Sequence, residues 1–237
     1  MDDSDPFATY RQPTANRPLL GLTILIIEDS RYASEAMRLL CLRSGARIRR
    51  ADCLKSARRH LQIYRPSILI VDLGLPDGSG AELISEMASA SPRIGMILGM
   101  SGDDLAKETA LSAGADGFLE KPVSSLAVFQ TEIMSKLPDD QQLGPRILTD
   151  EVIRPDPIAY QDDMAHAAEV MNEAGDAAVL DYLAQFIGGV ARSAQDHVLA
   201  NAAADLSQAR KDGRPVTQNA ARMAGLVQER LQQRKAI

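Results

Sequence analysis

The chain has 237 residues, of which 45% are hydrophobic and 24% charged, the balance of an ordinary globular protein. This length allows one large domain or two small ones, each with its own core. The formal charge of −6 lies mainly in the second half: residues 1–137 carry 16 basic and 17 acidic residues, whereas residues 138–237 carry 10 and 15. With five Tyr, four Phe and no Trp as well, this composition predicts that nucleic acid is not a partner.

The sequence gives no sign of a membrane or export signal. No apolar run approaches the roughly 18 residues of a membrane-spanning helix, and the acidic start MDDSDPF lacks the apolar core of a secretory signal. Cys41 and Cys53 have no metal-ligand spacing, which favours two buried thiols in a reducing compartment. We therefore predict a cytoplasmic protein without membrane association.

The first half alternates strand-sized apolar runs with segments of helical period. Residues 1–19 are polar, hold three prolines and are predicted to form a flexible tail. Strands are predicted in the run LTILIIED and at 46–50, 67–73, 93–100 and 115–119. Helices are predicted from Ser30 to Gly45 and over 52–64, 81–90, 105–112 and 124–137. Five alternating pairs over residues 20–137 predict an α/β fold, a parallel sheet with helices on both faces.

The second half has a different character. Residues 138–156 are rich in proline and are predicted to be a linker, and residues 157–237 are Ala-rich with helical period. Helices are predicted over 157–174, 177–210 and 215–235, with Gly188-Gly189 as a candidate break in the second. The sequence thus predicts an all-α region after the α/β domain.

Polar side chains follow four of the predicted strands. Glu28 and Asp29 follow the first strand, Asp72 ends the third, Ser101 follows the fourth and Lys121 follows the fifth. Ligands of an open parallel sheet bind outside the carboxyl ends of its strands, so we expect these groups to lie together. Three converging carboxylates require a cation to stay ionised, and oxygen-only ligands of this number suit Mg²⁺. Lysine and hydroxyl donors beside them suit a phosphoryl group, which predicts phosphorylation of Asp72.

These motifs give residues 20–137 a family resemblance. The pair Glu28-Asp29, the stretch VDLGLPDGSG around Asp72, Ser101-Gly102 and the segment FLEKP occur in the order and spacing of response regulator receiver domains. The chain over this half resembles that family, which implies a flavodoxin-like, doubly wound sheet of five parallel strands in the order 2-1-3-4-5.

The resemblance also implies a role for each site residue. Asp72 would be the phosphoacceptor, with Lys121 and Ser101 contacting the phosphoryl group. Mg²⁺ would be held by Glu28, Asp29, Asp72 and the backbone carbonyl of Gly74. Ser101 and Phe118 would form a switch, and the Lys121-Pro122 bond would be cis.

We therefore expect a response regulator phosphorylated by a sensor histidine kinase or a phosphotransfer protein. It would catalyse its own phosphorylation and dephosphorylation without being an enzyme for another substrate. The helical region would be a switched interaction module that forms a homodimer or binds a partner protein.

Three other functions stay open. His166 or His197 could pass phosphate onward in a phosphorelay, since both lie in predicted helices. Basic residues in the last predicted helix, namely Arg222, Arg230, Arg234 and Lys235, allow a DNA-binding transcriptional regulator. A receiver that serves only as a docking surface, without phosphorylation, is the third.

Overall fold

The computed structural model describes residues 12–103, 105–138, 151–173 and 177–233. These residues form a sheet covered by helices, followed by a unit of four helices. Within the described ranges, every helix is too short or too polar to cross a membrane.

The sheet has five parallel strands, and a two-stranded hairpin lies beside it. The strands are β1 Thr23–Ile27, β2 Arg47–Ala51, β3 Ile68–Asp72, β4 Gly74–Leu75, β5 Gly78–Ser79, β6 Met96–Ser101 and β7 Gly117–Glu120. The sheet order is β2-β1-β3-β6-β7, and β4 pairs with β5 in the hairpin. This order confirms the predicted doubly wound sheet. The strands β1 and β3 are nearly all apolar because helices cover both of their faces.

Five helices pack on the two faces of the sheet. They are α1 Arg31–Ser44, α2 Leu54–Ile63, α3 Gly80–Ala88, α4 Ala106–Ser112 and α5 Leu126–Met134. Helices α1 and α5 share one apolar core with the sheet, and α2, α3 and α4 share the other. As the sequence predicts, Ser30 caps α1 by accepting a hydrogen bond from the Ala33 amide at 3.0 Å. Gly45 ends the helix with a φ of +86°, a conformation that favours glycine.

The helical unit has a core of its own. Its helices are α6 Pro157–Glu173, α7 Ala177–Ser193, α8 His197–Lys211 and α9 Thr217–Gln233. Their buried residues, among them Met164, Leu183, Ile187, Leu206 and Val227, form one apolar cluster. This arrangement confirms the predicted all-α region.

One predicted helix boundary is wrong. The segment 177–210 is broken at residues 194–196 instead of at Gly188-Gly189, which lie inside α7. Gln195 has a φ of +60°, and Asp196 caps α8 by accepting a hydrogen bond from the Leu199 amide. Gly188 faces α8, where a Cβ would lie in ordinary contact with the Ala203 Cβ at 3.5 Å. The aspartate cap therefore decides where the new helix begins.

The predicted tail and linker also differ from the structure at their ends. Leu19 is fully buried in the core beside α1, and its amide donates to the Ser44 carbonyl at 2.9 Å, so the packed domain begins before residue 20. Ile153 is buried in the same core, and its amide donates to the Ser124 carbonyl at 2.8 Å. The last residues of the predicted linker thus pack on the domain. Residues 1–11 and 139–150 lie outside the described residues.

Asp196 offers a test of what stabilises the helical unit. Its carboxylate accepts hydrogen bonds from Tyr160 Oη at 2.9 Å, Arg230 Nε at 2.8 Å and the Leu199 amide at 3.1 Å. We expect Asp196→Ala to lower the free energy of unfolding by about 2 to 3 kcal/mol, because a cap and an ion pair are lost together. Urea unfolding followed by circular dichroism measures this change.

Asp205→Ala is the matched control, because it breaks an exposed ion pair with Arg222 and should cost about 0.5 kcal/mol or less. The hydrogen bond from Arg230 holds the pKa of Asp196 down at about 2. The stabilisation should therefore be complete above the ordinary aspartate pKa of about 4 and fade as the pH falls through about 2. Equal losses for the two variants at neutral pH would contradict the assignment.

Candidate functional site

Four strand ends meet at the carboxyl edge of the sheet. Glu28 and Asp29 follow β1, Asp72 ends β3, Ser101 ends β6 and Lys121 follows β7. Glu28, Asp72 and Ser101 are buried. Oxygen atoms of Glu28, Asp29 and Asp72 lie within 4.8 Å of one another. The structure therefore brings the predicted acidic residues into one cluster.

Lys121 bridges two of the carboxylates. Its Nζ lies 2.6 Å from Glu28 Oε2 and 2.9 Å from Asp72 Oδ2. The other Glu28 oxygen, Oε1, accepts a hydrogen bond from the Ser30 amide at 3.1 Å. Only part of the charge on three acidic groups is balanced by this one lysine.

The electrostatics of the cluster follow from burial and repulsion. Burial raises the pKa of Glu28 well above its usual value, and the charges of Asp72 and Asp29 add to this against the opposing effect of Lys121. Burial and the Asp72 charge likewise raise the pKa of Asp29 to about 6. Burial opposes the charged form of Lys121, but the neighbouring carboxylates outweigh it and raise the lysine pKa. The lysine therefore stays protonated while Glu28 and Asp29 resist ionisation.

The donor set suits a hard divalent cation. Glu28 and Asp29, whose pKa values are raised, gain from a cation that neutralises them, and all donor atoms of the three carboxylates are oxygens. Gly74 lines the same cavity as these residues, so its backbone lies at the site. Glu28, Asp29 and Asp72 could therefore hold a metal ion.

The other predicted residues take different positions. Ser101 lines the cavity with Asp72 and Lys121, and its Oγ accepts a hydrogen bond from the Asp103 amide at 3.2 Å. Phe118 packs against the apolar core that α2, α3 and α4 share with the sheet, and it is not among the residues that line the cavity. The Lys121–Pro122 peptide bond is cis. The catalytic and switch roles of these residues stay predictions.

The helical unit contributes residues that the sequence did not reveal. Tyr182 on α7 donates a hydrogen bond from Oη to Asp29 Oδ2 at 2.7 Å. Burial and the Asp29 charge raise the tyrosine pKa, so the hydroxyl remains a donor. A cavity of about 50 Å³ separates the site from α7. From α7 it is lined by Gln185, Phe186, Gly189, Val190 and Arg192.

A second contact joins α6 to the start of α1. Asp163 is buried, and its carboxylate accepts hydrogen bonds from Ser30 Oγ at 2.7 Å, the Arg31 amide at 2.7 Å and the Tyr32 amide at 3.0 Å. It therefore satisfies amide groups at the helix N-terminus, where negative charge is favourable. The sequence signal is slight: Asp163 is the second of two aspartates directly before the apolar stripe of α6 that begins at Met164.

The two histidines of the helical unit differ in position. His166 lines an open groove of about 1050 Å³ that also touches Glu28, Asp29 and Tyr182. Its ring lies 5.6 Å from that of Phe186. His197 begins α8 and is exposed, and it is not among the lining residues of this groove. The structure thus places His166, but not His197, near the acidic cluster.

Comparison with known proteins identifies the family of the first half of the chain. The model of the response regulator receiver domain matches residues 24–131. This segment is a response regulator receiver domain. The matched residues contain all five strands except Thr23, the first residue of β1, and they include the acidic cluster and Lys121. Helices α6 to α9 lie beyond the matched segment.

Curated relatives are similar to the chain over part of its length. The KDP operon transcriptional regulatory protein KdpE of Escherichia coli K12 is 33% identical over 99 residues, which is 42% of this chain and 44% of KdpE. The virulence transcriptional regulatory protein PhoP of Shigella flexneri is 33% identical over 104 residues, 43% of this chain and 46% of PhoP. The chain spans less than half the length of these relatives. Because their names describe transcriptional regulators, the prediction that nucleic acid is not a partner gains no support.

Solved structures are similar to the chain over about half of its length. The receiver domain of a CheY-like response regulator from Methylobacillus flagellatus is 25% identical, with a TM-score of 0.44, and covers 49% of this chain and 98% of its own. The chemotaxis response regulator CheY4 of Vibrio cholerae is 20% identical, with a TM-score of 0.44 and the same coverage.

Asp29 provides a test of charge repulsion in the cluster. Without metal, we expect Asp29→Asn to raise the free energy of unfolding at pH 7.5 by about 1 to 2 kcal/mol, because a half-buried charge beside Asp72 is removed. The raised pKa of Asp29 means that the folded protein holds this proton up to about pH 6. The wild-type protein should therefore lose stability as the pH rises from about 4 to 6.

The advantage of Asp29→Asn should accordingly be smaller at pH 5 and disappear below about pH 4, as measured by urea unfolding in a chelating buffer. Glu120→Gln removes an exposed carboxylate and should change little at either pH. A variant less stable than wild type at pH 7.5 would show that repulsion does not dominate the cluster.

Proposed function

We propose that the receiver domain accepts a phosphoryl group on Asp72 from the phosphohistidine of a sensor histidine kinase or phosphotransfer protein. The observation that carries the proposal is the position of the Asp72 carboxylate. It lies 2.9 Å from the Lys121 ammonium and within the cluster formed with Glu28 and Asp29. A carboxylate nucleophile beside a fixed cation and further acidic ligands suits phosphoryl transfer.

Mg²⁺ is the metal that we propose for the site. Glu28, Asp29 and Asp72 would hold it with the backbone carbonyl of Gly74, and such an oxygen-only set leaves room for phosphoryl oxygens. When bound, the ion would neutralise charge that develops on the phosphoryl oxygens.

The chain's own residues supply the remaining chemistry. A carboxylate oxygen of Asp72 attacks phosphorus, the bond from phosphorus to the donor's imidazole nitrogen breaks, and that nitrogen keeps the electron pair. The product is an acyl phosphate on Asp72. Lys121 and the Ser101 hydroxyl line the same cavity and donate to the phosphoryl oxygens. Attack by water on phosphorus later returns phosphate and the free carboxylate, so the protein turns over its own phosphoryl group and no separate substrate.

The output that we propose is protein binding: after switching, the helical unit forms a homodimer or binds a partner protein. The names of the relatives support transcriptional regulation as a second candidate. In this chain, however, Arg222 forms an ion pair with Asp205, and Arg230 forms one with Asp196. Two of the predicted basic residues are therefore already paired with carboxylates. Arg234 and Lys235 lie outside the described residues. Neutralised arginines favour the protein-binding candidate.

DNA binding can be tested cheaply. If the helical unit binds proteins, the chain should elute from heparin at low salt, with or without a phosphoryl mimic, because its acidic second half repels the polyanion. Arg222→Gln should not alter elution. Retention that weakens with Arg222→Gln and with added salt would favour the transcriptional candidate.

The assignment of Asp72 has a direct test. Incubation with acetyl phosphate and Mg²⁺ should add one phosphoryl group to the wild-type chain, seen by intact mass, and none to Asp72→Asn. Asp77→Asn is the control, since Asp77 lies nearby but bonds the amides of Leu54 and Lys55. The adduct should be cleaved by hydroxylamine, as acyl phosphates are, and a chelator should prevent its formation.

Two outcomes would contradict the proposal. Equal uptake by wild type and Asp72→Asn would move the acceptor to another residue. An adduct that resists hydroxylamine, is lost in acid and disappears in His166→Gln would support the phosphorelay alternative instead.

A further inference from the structure

Helix α7 lines the cavity that Asp72, Ser101 and Lys121 share. That cavity has a volume of about 50 Å³. Side chains of α7 lie directly against the backbone around this cavity: a Cβ on Gly74 would overlap the Gln185 amide, and a Cβ on Gly102 would lie 2.8 Å from Arg192 Nη2. In the docked arrangement α7 therefore occupies space through which a phosphodonor would approach the Asp72 carboxylate.

The open groove beside the site does not provide another route. It touches Glu28 and Asp29, but Asp72, Ser101 and Lys121 are not among its lining residues. A small ion can therefore reach the acidic pair along the groove, whereas the phosphoacceptor faces α7. Metal access and phosphodonor access are thus separated by the helical unit.

Among the contacts that hold the helical unit in this position, two lie next to the acidic cluster. The Tyr182 hydroxyl donates to Asp29 Oδ2 at 2.7 Å, which uses an oxygen of a carboxylate in the metal cluster. Asp163 accepts from the Arg31 and Tyr32 amides at 2.7 and 3.0 Å, two and three residues along the chain from Asp29. Both contacts bind the same short segment that follows β1.

We propose that α7 is a lid over the phosphoacceptor, that Tyr182 is its latch on Asp29, and that phosphorylation of Asp72 opens it. This inference rests on the proposed function. A cation on the cluster withdraws the negative charge that makes Asp29 a strong acceptor for the tyrosine hydroxyl. A phosphoryl group on Asp72 fills the cavity against Gln185 and Phe186, so the docked helix must move away. Site occupancy and lid docking therefore exclude each other, and the released helical unit becomes available to its partner.

The rate of phosphorylation tests the latch in the full-length chain. With acetyl phosphate and Mg²⁺, Tyr182→Phe should be phosphorylated about fivefold faster than wild type, because one hydrogen bond that holds the lid closed is lost. The phenyl ring keeps the contact with Phe186. Tyr160→Phe is the matched control: it also removes a hydroxyl bonded to an aspartate, at 2.9 Å, but within the helical unit. It should react at the wild-type rate.

Amide hydrogen exchange provides a readout that does not depend on turnover. The Arg31 and Tyr32 amides bond to Asp163 only while the lid is docked, so their exchange should become about fivefold faster or more with Mg²⁺ and beryllofluoride. The Leu54 and Lys55 amides bond to Asp77 in the same way at the start of α2 and should not change. In Tyr182→Phe, exchange at Arg31 and Tyr32 should be faster even without ligands.

The outcomes separate the two proposals. If wild type is phosphorylated on Asp72 and Tyr182→Phe matches it in both rate and exchange, the lid is wrong while the proposed function stands. Slower exchange at Arg31 and Tyr32 with beryllofluoride would also overturn the lid, since the phosphoryl mimic would then hold α7 in place, for instance through Arg192. If neither wild type nor any variant is phosphorylated but Tyr182→Phe still speeds amide exchange at Arg31 and Tyr32, the latch stands and the assignment of Asp72 fails.

Discussion

The repulsion among Glu28, Asp29 and Asp72 is the constraint on which the rest of the site depends. A parallel sheet brings the ends of β1 and β3 together, and the cost of burying three carboxylates there must be offset by a cation. In the structure Lys121 does part of this, which is why its ammonium lies between Glu28 and Asp72. The same excess of negative charge suits the site to binding a metal ion. It also makes Asp29 a hydrogen-bond acceptor for Tyr182, which is distant in the sequence.

The receiver part could be predicted because each feature depends on nearby residues. The apolar runs, the Ser30 cap and Gly45 fix the strands and helices locally, and the rule that ligands bind at the carboxyl ends of parallel strands then brings Asp72 and Lys121 together. Leu19 and Ile153 escaped prediction because they flank proline-containing polar segments, and their burial depends on a core built by other elements. The break at residues 194–196 escaped because an aspartate cap outweighed a glycine pair.

The contact between the two units could not be read from the sequence at all. Tyr182 and Asp29 are 153 residues apart, and Asp163 and Ser30 are 133 apart. A tyrosine and an aspartate on amphipathic helices look like ordinary half-buried polar residues, and nothing local says that they face another unit. Such pairs are found only when a tertiary arrangement gives a buried carboxylate its donors.

The chemistry of this contact also explains how it can be reversible. The helical unit buries its own apolar core, including Leu183 and Ile187, and therefore does not depend on the receiver for that core. It is held on the receiver by carboxylates and hydroxyls, among them the Asp163 contacts and the exposed Arg31–Asp162 ion pair, and also by Tyr32, which packs against the helical core and edge-on to Tyr160. The polar groups regain hydrogen bonds to water when they separate, so undocking costs less than exposing a wholly apolar interface of the same size. A change of charge at Asp29 and Asp72 thus acts on a contact whose strength depends on charge, and this is how a single phosphoryl group could control the position of four helices.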